Sequence, residues 1–265
     1  MRPDHTPASS TPTAAKVLDA MDVDEHLRDP DRKQAFVTPM FDVIAPRYDQ
    51  FTRRFSFGMD RRWKSAVLTQ AIAALPAGGQ AVDVACGTGD LAYAMAAARP
   101  GATVTGIDLS ARMIDEAERR PERPQCPNVS FAVGDLMQLQ LPDASADVVT
   151  AGYALRNVPD WQGGLRELAR VLRPGGCLLT LDFYRPSLAP WRALYLGYLR
   201  AAGDVVGWWW HGRPVVYGYI ARSIAAFCSW QEFRAALNEC GFSDVRVERY
   251  LGGGVAIHRA TRNTR

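Results

Sequence analysis

A glycine-rich turn with the sequence DVACGTGD occupies residues 83–90 and continues an apolar run. Gly87 and Gly89 let the backbone turn sharply and approach a ligand at the start of a following helix. The turn alone does not identify that ligand, because Gly87, Gly89 and Ala92 also fit the permissive dinucleotide-binding pattern of nicotinamide dehydrogenases. It predicts a site for a ligand that contains a nucleotide or nucleoside.

Three aspartates stand near the ends of the first three predicted strands. Asp108 can accept hydrogen bonds from both hydroxyls of a ribose. Asp83, just before the glycine turn, suits a cationic sulfonium amino acid and suits a pyrophosphate poorly, because like charges repel in a cleft. Asp135 can accept from an adenine amino group. The alternatives are that Asp83 caps a helix or turn and that Asp135 only begins a loop. Together the three aspartates favour S-adenosylmethionine.

Several segments resemble known methyltransferase motifs. Residues 82–91 (VDVACGTGDL), 106–113 (GIDLSARM) and 171–176 (VLRPGG) resemble motifs of the class I methyltransferases. Residues 41–49 (FDVIAPRYD), 56–58 (SFG) with 63–64 (WK), 153–158 (YALRNV), 217–224 (YGYIARSI) and 254–258 (GVAIH) are similar to the quinone-biosynthesis C-methyltransferases. That family methylates demethylmenaquinone and polyprenyl-methoxy-benzoquinol. The resemblance extends over residues 36–262 and implies an S-adenosylmethionine-dependent C-methyltransferase of a lipophilic quinol.

The resemblance also implies the site residues. The expected cofactor-binding residues are Asp83, Gly87, Thr88, Gly89, Asp108, Leu109, Gly134 and Asp135. Arg156 and Asn157 fall where the methyl acceptor meets the cofactor, and Tyr153 is expected to line an aromatic pocket or to hydrogen-bond the ring oxygens. A cation such as Arg156 would favour the phenolate form of the acceptor. The alternative is that Arg156 ties a loop to a carboxylate. His211 is a candidate base, and no metal site is expected.

The sequence departs from the family pattern mainly on the substrate side. Thr52, Asp60, Gly152 and Arg222 replace the usual residues, and the run Trp208–Trp–Trp–His211 is an addition. These departures leave another small acceptor open, such as a polyketide, a phenol or an amine. A nicotinamide-dependent oxidoreductase is disfavoured by Asp83 and by the lack of a convincing Tyr-x-x-x-Lys arrangement. A non-catalytic cofactor-binding subunit is disfavoured by Arg156 and Asn157.

The elements that must position these residues alternate between strand and helix. Strands are predicted at 81–85, 103–107, 129–133, 148–152, 177–183, 245–250 and 254–258, and helices at 90–98, 111–119, 164–172 and 231–240. Repeated βαβ units predict an α/β fold with a doubly wound, mostly parallel seven-stranded sheet of the Rossmann-like kind. We expect residues 1–35 to be a largely disordered leader and residues 36–265 to form one methyltransferase domain, with a substrate cap inserted at 186–226.

The composition of the chain indicates which binding partners and which cellular compartment are expected. The net charge is +3 and the basic residues are spread through the chain, so no nucleic acid is expected as a partner. The five cysteines lack a C-x-x-C pattern, which predicts reduced thiols in a cytoplasmic protein. No signal-like apolar run opens the sequence. Charges interrupt residues 191–210, so this stretch is predicted to lie against the inner membrane face, to form a lid, or to form a homodimer interface, without spanning the bilayer.

Overall fold

The computed structural model describes Lys33, residues 37–42, Ser56 and residues 58–210 and 215–264, with only the backbone of 202–210 and 215–218. Apart from Lys33, the predicted leader lies outside the described residues, as do Thr52 and His211. The interval predicted to form the cap, 186–226, holds two helices.

A single seven-stranded sheet organises the described part of the chain, in the order β3-β2-β1-β4-β5-β7-β6. The strands are β1 Gln80–Val84, β2 Thr103–Asp108, β3 Val129–Val133, β4 Ala146–Gly152, β5 Leu172–Phe183, β6 Phe242–Tyr250 and β7 Val255–Arg262. Strands β1 to β5 run parallel, and β7 is antiparallel to both of its neighbours. The predicted α/β fold is confirmed.

In the described part of the chain, seven helices have eight or more residues: α1 Met59–Ala74, α2 Asp90–Ala98, α3 Ala111–Glu118, α4 Trp161–Val171, α5 Ala189–Trp210, α6 Val215–Ala226 and α7 Trp230–Glu239. Two short 3₁₀ helices lie at Arg123–Gln125 and Leu251–Gly253. Residues 37–42, also helical, are called the roof segment below. We call α5 and α6 together the cap.

Apolar residues alternate between the two faces of the sheet, as the pleat requires. Val82, Val84 and Val149 join the cluster that α4 and α7 cover. Ala81 and Val148 join the cluster that α1 and α2 cover on the opposite face. Helices on both faces therefore enclose the sheet, and they leave the carboxyl ends of its parallel strands accessible.

Two strands begin three or more residues earlier than the sequence predicts. Leu172, predicted as the last residue of a helix, is extended and pairs with Ala146 at the start of β5. β6 begins at Phe242, whereas the prediction placed its start at residue 245. A register shift follows Ser243, and Asp244 has a φ of 48°. Such an irregularity breaks the period-two pattern from which a strand is predicted.

The cap enters the fold between β5 and α7 and is anchored at its base. Trp191 Nε1 donates to the carbonyl oxygen of Leu251 at 2.9 Å. Tyr195 and Leu199 of α5 pack with Ala221 and Ile224 of α6. Among the described residues, no helix has both the length and the apolarity needed to cross a bilayer. The cap is thus a helical pair packed on the edge of the site.

Candidate active site

A cleft opens at the carboxyl ends of β1, β2 and β4. The chain leaves β1 in one direction towards β2, and β4 lies on the opposite side of β1, so this is the point where the strand order reverses. Open α/β sheets bind their ligands in the crevice at such a point. The cleft has about 740 Å³ of free space, counting its open mouth.

The glycine turn forms the floor of the cleft. Ala85 and Gly87 line it, and both have positive φ angles, 50° and 55°. Gly89, with a φ of 86°, precedes the first residue of α2. A Cβ atom on Gly89 would lie 2.8 Å from the ring of Phe131, so only glycine fits there. The turn thereby brings backbone and a helix start next to the ligand space.

Asp108 is the best-placed ligand acceptor in the cleft. Its Oδ2 accepts from the backbone N–H of Gly87 at 2.8 Å, and its Oδ1 accepts from the N–H of Ser110 at 2.9 Å. Each carboxylate oxygen can accept a second hydrogen bond. Burial raises the pKa of Asp108, against the effect of these backbone donors. The side chain is therefore fixed in orientation while it retains acceptor capacity for two ligand hydroxyls.

Gly134 and Asp135 form the wall that follows β3. The N–H of Gly134 donates to the carbonyl of Asp108 at 2.9 Å, and both Gly134 and Asp135 line the cleft. A Cβ on Gly134 would lie 2.8 Å from Ile107 Cγ2. Asp135 Oδ1 accepts from the N–H of Met137 at 2.8 Å. Leu109 completes the side of the cleft next to Asp108.

Three of the eight predicted cofactor residues do not line the cleft. Gly89 shapes the turn from behind, and Thr88 is buried with its backbone and hydroxyl oxygens near Arg120. Asp83 is 2% exposed and accepts from the hydroxyl of Thr150 at 2.6 Å. Asp83 also bonds the backbone of Ala92 in the first turn of α2. These contacts agree with the alternative that Asp83 caps a helix or turn, because they hold the glycine turn and the start of α2 from below.

Asp83 makes the stability depend on pH. Burial raises its pKa to about 7. Between its ordinary value and pH 7 the folded state holds a proton that the unfolded state has released, so the free energy of unfolding falls as pH rises through this window. Relative to Asp83→Asn, the wild type should lose about 3 kcal/mol between pH 4 and pH 7. Urea unfolding of both proteins without cofactor measures this. Parallel pH profiles would contradict it.

The segment after β4 forms the second half of the cleft. Tyr153 and Asn157 line it. Tyr153 has a φ of 58°, its N–H donates to the carbonyl of Leu181 at 2.6 Å, and its ring stacks on Phe183 with centroids 5.2 Å apart. Asn157 Nδ2 donates to the carbonyl of Tyr153 at 2.8 Å. A left-handed backbone at a bulky residue is the kind of strain that functional sites retain.

Arg156 does not line the cleft, although Tyr153 and Asn157, the other two residues predicted for the acceptor side, do. The Nε atom of Arg156 lies 3.3 Å from Asp182 Oδ1, and the backbone N–H of Arg156 donates to Asp182 Oδ2 at 3.1 Å. The guanidinium also donates to Ser223 of the cap. Arg156 is 6% exposed and Asp182 2%. These contacts favour the alternative in which Arg156 ties the loop to a carboxylate.

The roof segment contributes residues that the sequence analysis did not assign. Val37, Thr38 and Phe41 line the cleft. Asp42 accepts from the hydroxyl of Ser110 at 2.5 Å, and Ser110 is the N-cap of α3. The apolar spacing of Val37 and Phe41 was the available signal, because it is one helical turn. It predicts a helix, but not the surface against which the helix packs.

Lys33 is a second unassigned residue at the edge of the cleft. Its Nζ donates to the carbonyl of Val158 at 2.8 Å, and Val158 lines the cleft. The pKa of Lys33 is lowered to about 8, mainly by burial and also by the charge of Arg156, while the charge of Asp182 opposes both effects. No spacing pattern in the sequence pairs Lys33 with a carbonyl 125 residues away.

Known proteins that are similar to this chain in sequence or in fold include methyltransferases. The pattern of the ubiE/COQ5 methyltransferase family matches residues 29–262. Demethylmenaquinone methyltransferase of Renibacterium salmoninarum is 36% identical over 87% of this chain and 93% of that protein. The enzyme of the same name from Desulfitobacterium hafniense is 35% identical over 85% and 89%. The crystal structure of a putative methyltransferase from Bacillus halodurans has a TM-score of 0.56 and 21% identity, over 75% of this chain and 98% of that one.

Proposed function

Because the chain belongs to the ubiE/COQ5 methyltransferase family, we propose that it transfers a methyl group from S-adenosylmethionine to a ring carbon of a quinol. The acceptor is a lipophilic quinol such as demethylmenaquinol or a polyprenyl-benzoquinol. The observation that carries the proposal is the family match over residues 29–262, which includes the glycine turn, the loop after β4 and the cap. Two relatives that share about a third of the sequence are demethylmenaquinone methyltransferases.

The cofactor half of the cleft fits S-adenosylmethionine by its donor and acceptor set. Asp108 has two oriented carboxylate oxygens for the ribose hydroxyls. Asp135 would accept from the adenine amino group, and the backbone of Gly87 and Gly134, which line the cleft, would lie beside the ligand. Bound S-adenosylmethionine supplies a methyl group on a positively charged sulfur. Asp83 supports the turn under this site and does not contact the ligand itself.

The acceptor half is formed by Tyr153 and Asn157. The Asn157 side chain uses one hydrogen for the carbonyl of Tyr153 and one lone pair for the hydroxyl of Tyr219. One hydrogen and one lone pair remain for the oxygens of a quinol. The ring of Tyr153 supplies an aromatic wall. Val37 and Phe41 of the roof segment exclude water from the reacting atoms, and positioning of this kind accounts for much of the rate of such a transfer. Arg156 holds the loop in place.

Complementation in cells tests this proposal. Expression of the chain in a bacterial strain without its own demethylmenaquinone methyltransferase should restore menaquinone, measured by mass spectrometry of extracted lipids. The Asp108→Ala variant, expressed to the same level, is the negative control. Persistence of demethylmenaquinone with the wild-type chain would direct the search to another small acceptor.

We further propose that α5 brings the enzyme to the membrane surface where such a quinol resides. The exposed residues of α5 up to residue 201 lack charge except for Arg200, and the uncharged ones are Ala189, Pro190, Ala193, Leu194, Gly197, Tyr198 and Ala201. Leu194 is 65% exposed and Tyr198 43%. Arg192 and Arg200 are the charged residues of α5 up to residue 201, so this part of the helix complements an anionic lipid surface.

Substitution of Leu194 tests the membrane contact. Leu194→Glu should abolish co-sedimentation with vesicles that contain phosphatidylglycerol, because it places a negative charge in the apolar face. Methylation of a short-chain quinol in solution should persist. Ser65→Glu, the same type of change at an exposed position of α1, should leave vesicle binding unchanged. A change in sedimenting mass without vesicles would instead indicate that the face joins two copies of the chain.

A further inference from the structure

Two buried polar side chains of α6 reach from the cap to the loop after β4. The hydroxyl of Tyr219 donates to Asn157 Oδ1 at 2.9 Å. Ser223, one helical turn later, accepts from the guanidinium of Arg156. Tyr219 is 1% exposed and Ser223 3%. Because residues four apart in a helix lie on the same face, one face of α6 holds two consecutive residues of the loop.

These contacts continue from the loop to the wall of the cleft. Asn157, oriented by Tyr219, donates to the carbonyl of Tyr153 at 2.8 Å. Arg156, bonded to Ser223, binds Asp182, which also accepts from the N–H of Phe183 at 2.8 Å. Phe183 in turn stacks on Tyr153. The two branches therefore converge on Tyr153, whose backbone is held in the left-handed region.

We propose that Tyr219 and Ser223 are positioning residues that make the acceptor side of the cleft depend on the seating of the cap. When α6 is seated, the Tyr219 hydroxyl selects one orientation of the Asn157 amide, and Asn157 fixes the backbone of Tyr153. When α6 moves away, Arg156 and Asn157 lose their partners on the cap and the acceptor wall relaxes. The kinetic test of this inference, a measurement of kcat, rests on the proposed methyl transfer. The structural test, a measurement of hydrogen exchange, does not.

The central test is Tyr219→Phe, with Tyr195→Phe as a matched control. Both residues are buried tyrosines of the cap, but the hydroxyl of Tyr195 donates to the carbonyl of Gly254 at 3.4 Å and does not contact the loop. Tyr219→Phe should lower kcat for methyl transfer roughly 10- to 100-fold, because small misplacement of reacting groups has effects of this size. KM for S-adenosylmethionine should be unchanged. Tyr195→Phe should leave kcat unchanged. Equal effects of the two substitutions on kcat would overturn the proposal.

A double-mutant cycle on kcat measures whether Tyr219 acts through Asn157, which general loss of stability would not show. If Tyr219 acts through Asn157, the double variant Tyr219→Phe, Asn157→Ala should have the same kcat as Asn157→Ala alone. Effects that multiply would show that the two residues act independently and would overturn the proposal. Ser223→Ala provides a second variant on the Arg156 branch if Tyr219→Phe does not fold.

Hydrogen exchange separates failure of this inference from failure of the proposed function. In Tyr219→Phe, the amides of residues 153–158 should exchange faster than in the wild type, because their partner on the cap is lost. In Tyr195→Phe they should exchange at the wild-type rate. If the wild type transfers no methyl group to a quinol, the proposed function fails while this measurement still stands. Unchanged protection of 153–158 in Tyr219→Phe would overturn the coupling itself.

Discussion

Asp108→Ala should weaken the binding of S-adenosylmethionine by about 100-fold or more, because two hydrogen bonds to a charged acceptor are lost at 1.5–3 kcal/mol each. The substitution also removes the acceptor of the Gly87 and Ser110 amides. The glycine turn then loses the contact that orients it towards the ligand. Isothermal titration calorimetry measures the change in affinity directly.

Asp147→Ala is the matched control for this prediction. Asp147 Oδ2 accepts from the backbone N–H of Gln80 at 2.7 Å, so it is also an aspartate that holds a strand-end amide. Gln80 begins β1, so Asp147 lies at the amino end of β1 whereas Asp108 lies at the carboxyl end of β2. Cofactor affinity should be unchanged in Asp147→Ala. If both variants keep wild-type affinity, Asp108 does not bind the cofactor.

Arg156→Met should destabilise the protein by about 3–5 kcal/mol, because it leaves the carboxyl of Asp182 buried without its cation. Asp182 is 2% exposed, and its pKa is already raised by burial, which the charge of Arg156 opposes. Without Arg156 the pKa rises further. An acid with a raised pKa in the folded state stabilises less as pH increases. The loss should therefore be larger at pH 8 than at pH 5, as measured by urea unfolding.

The double variant Arg156→Met, Asp182→Asn separates a role in holding the loop from a direct role on the acceptor. Removal of both charges should recover most of the lost stability, because no unpaired charge stays buried. Since the guanidinium contacts Asp182 and Ser223 and does not line the cleft, we expect methyl transfer to recover in part with stability. A stable double variant with no detectable methyl transfer would indicate that Arg156 acts directly on the methyl acceptor.

The sequence predicts most of the fold because its signals are local. The bounds of α2 and β3 agree with the prediction, since turn-forming residues stand on both sides of each element: Gly89 and Pro100 around α2, and Asn128 and Gly134 around β3. β5 and β6 begin earlier than predicted because irregular pairing interrupts their period at Leu172 and Asp244. The cap was predicted from the break in strand pattern after residue 186, which does not reveal that two helices form there.

The residues of the candidate site were predictable where a single short motif places them at the end of a strand. Asp108, Gly134 and Asp135 follow strands directly, and all three line the cleft. Contacts between distant segments were not predictable. Arg156 finds its carboxylate 26 residues away in Asp182 and its hydroxyl 67 residues away in Ser223. The same holds for Val37 and Phe41, whose helical spacing predicts an apolar face without saying that it covers the cleft.

Transfer of a labelled methyl group tests the central claim most directly. Purified protein is incubated with S-adenosylmethionine labelled in its methyl group and a reduced short-chain demethylmenaquinol or benzoquinol, beside Asp108→Ala. The account predicts a product labelled on a ring carbon, located by NMR, that the Asp108→Ala reaction lacks. Tight cofactor binding with no labelled quinol, or a label on a quinol oxygen, would contradict it.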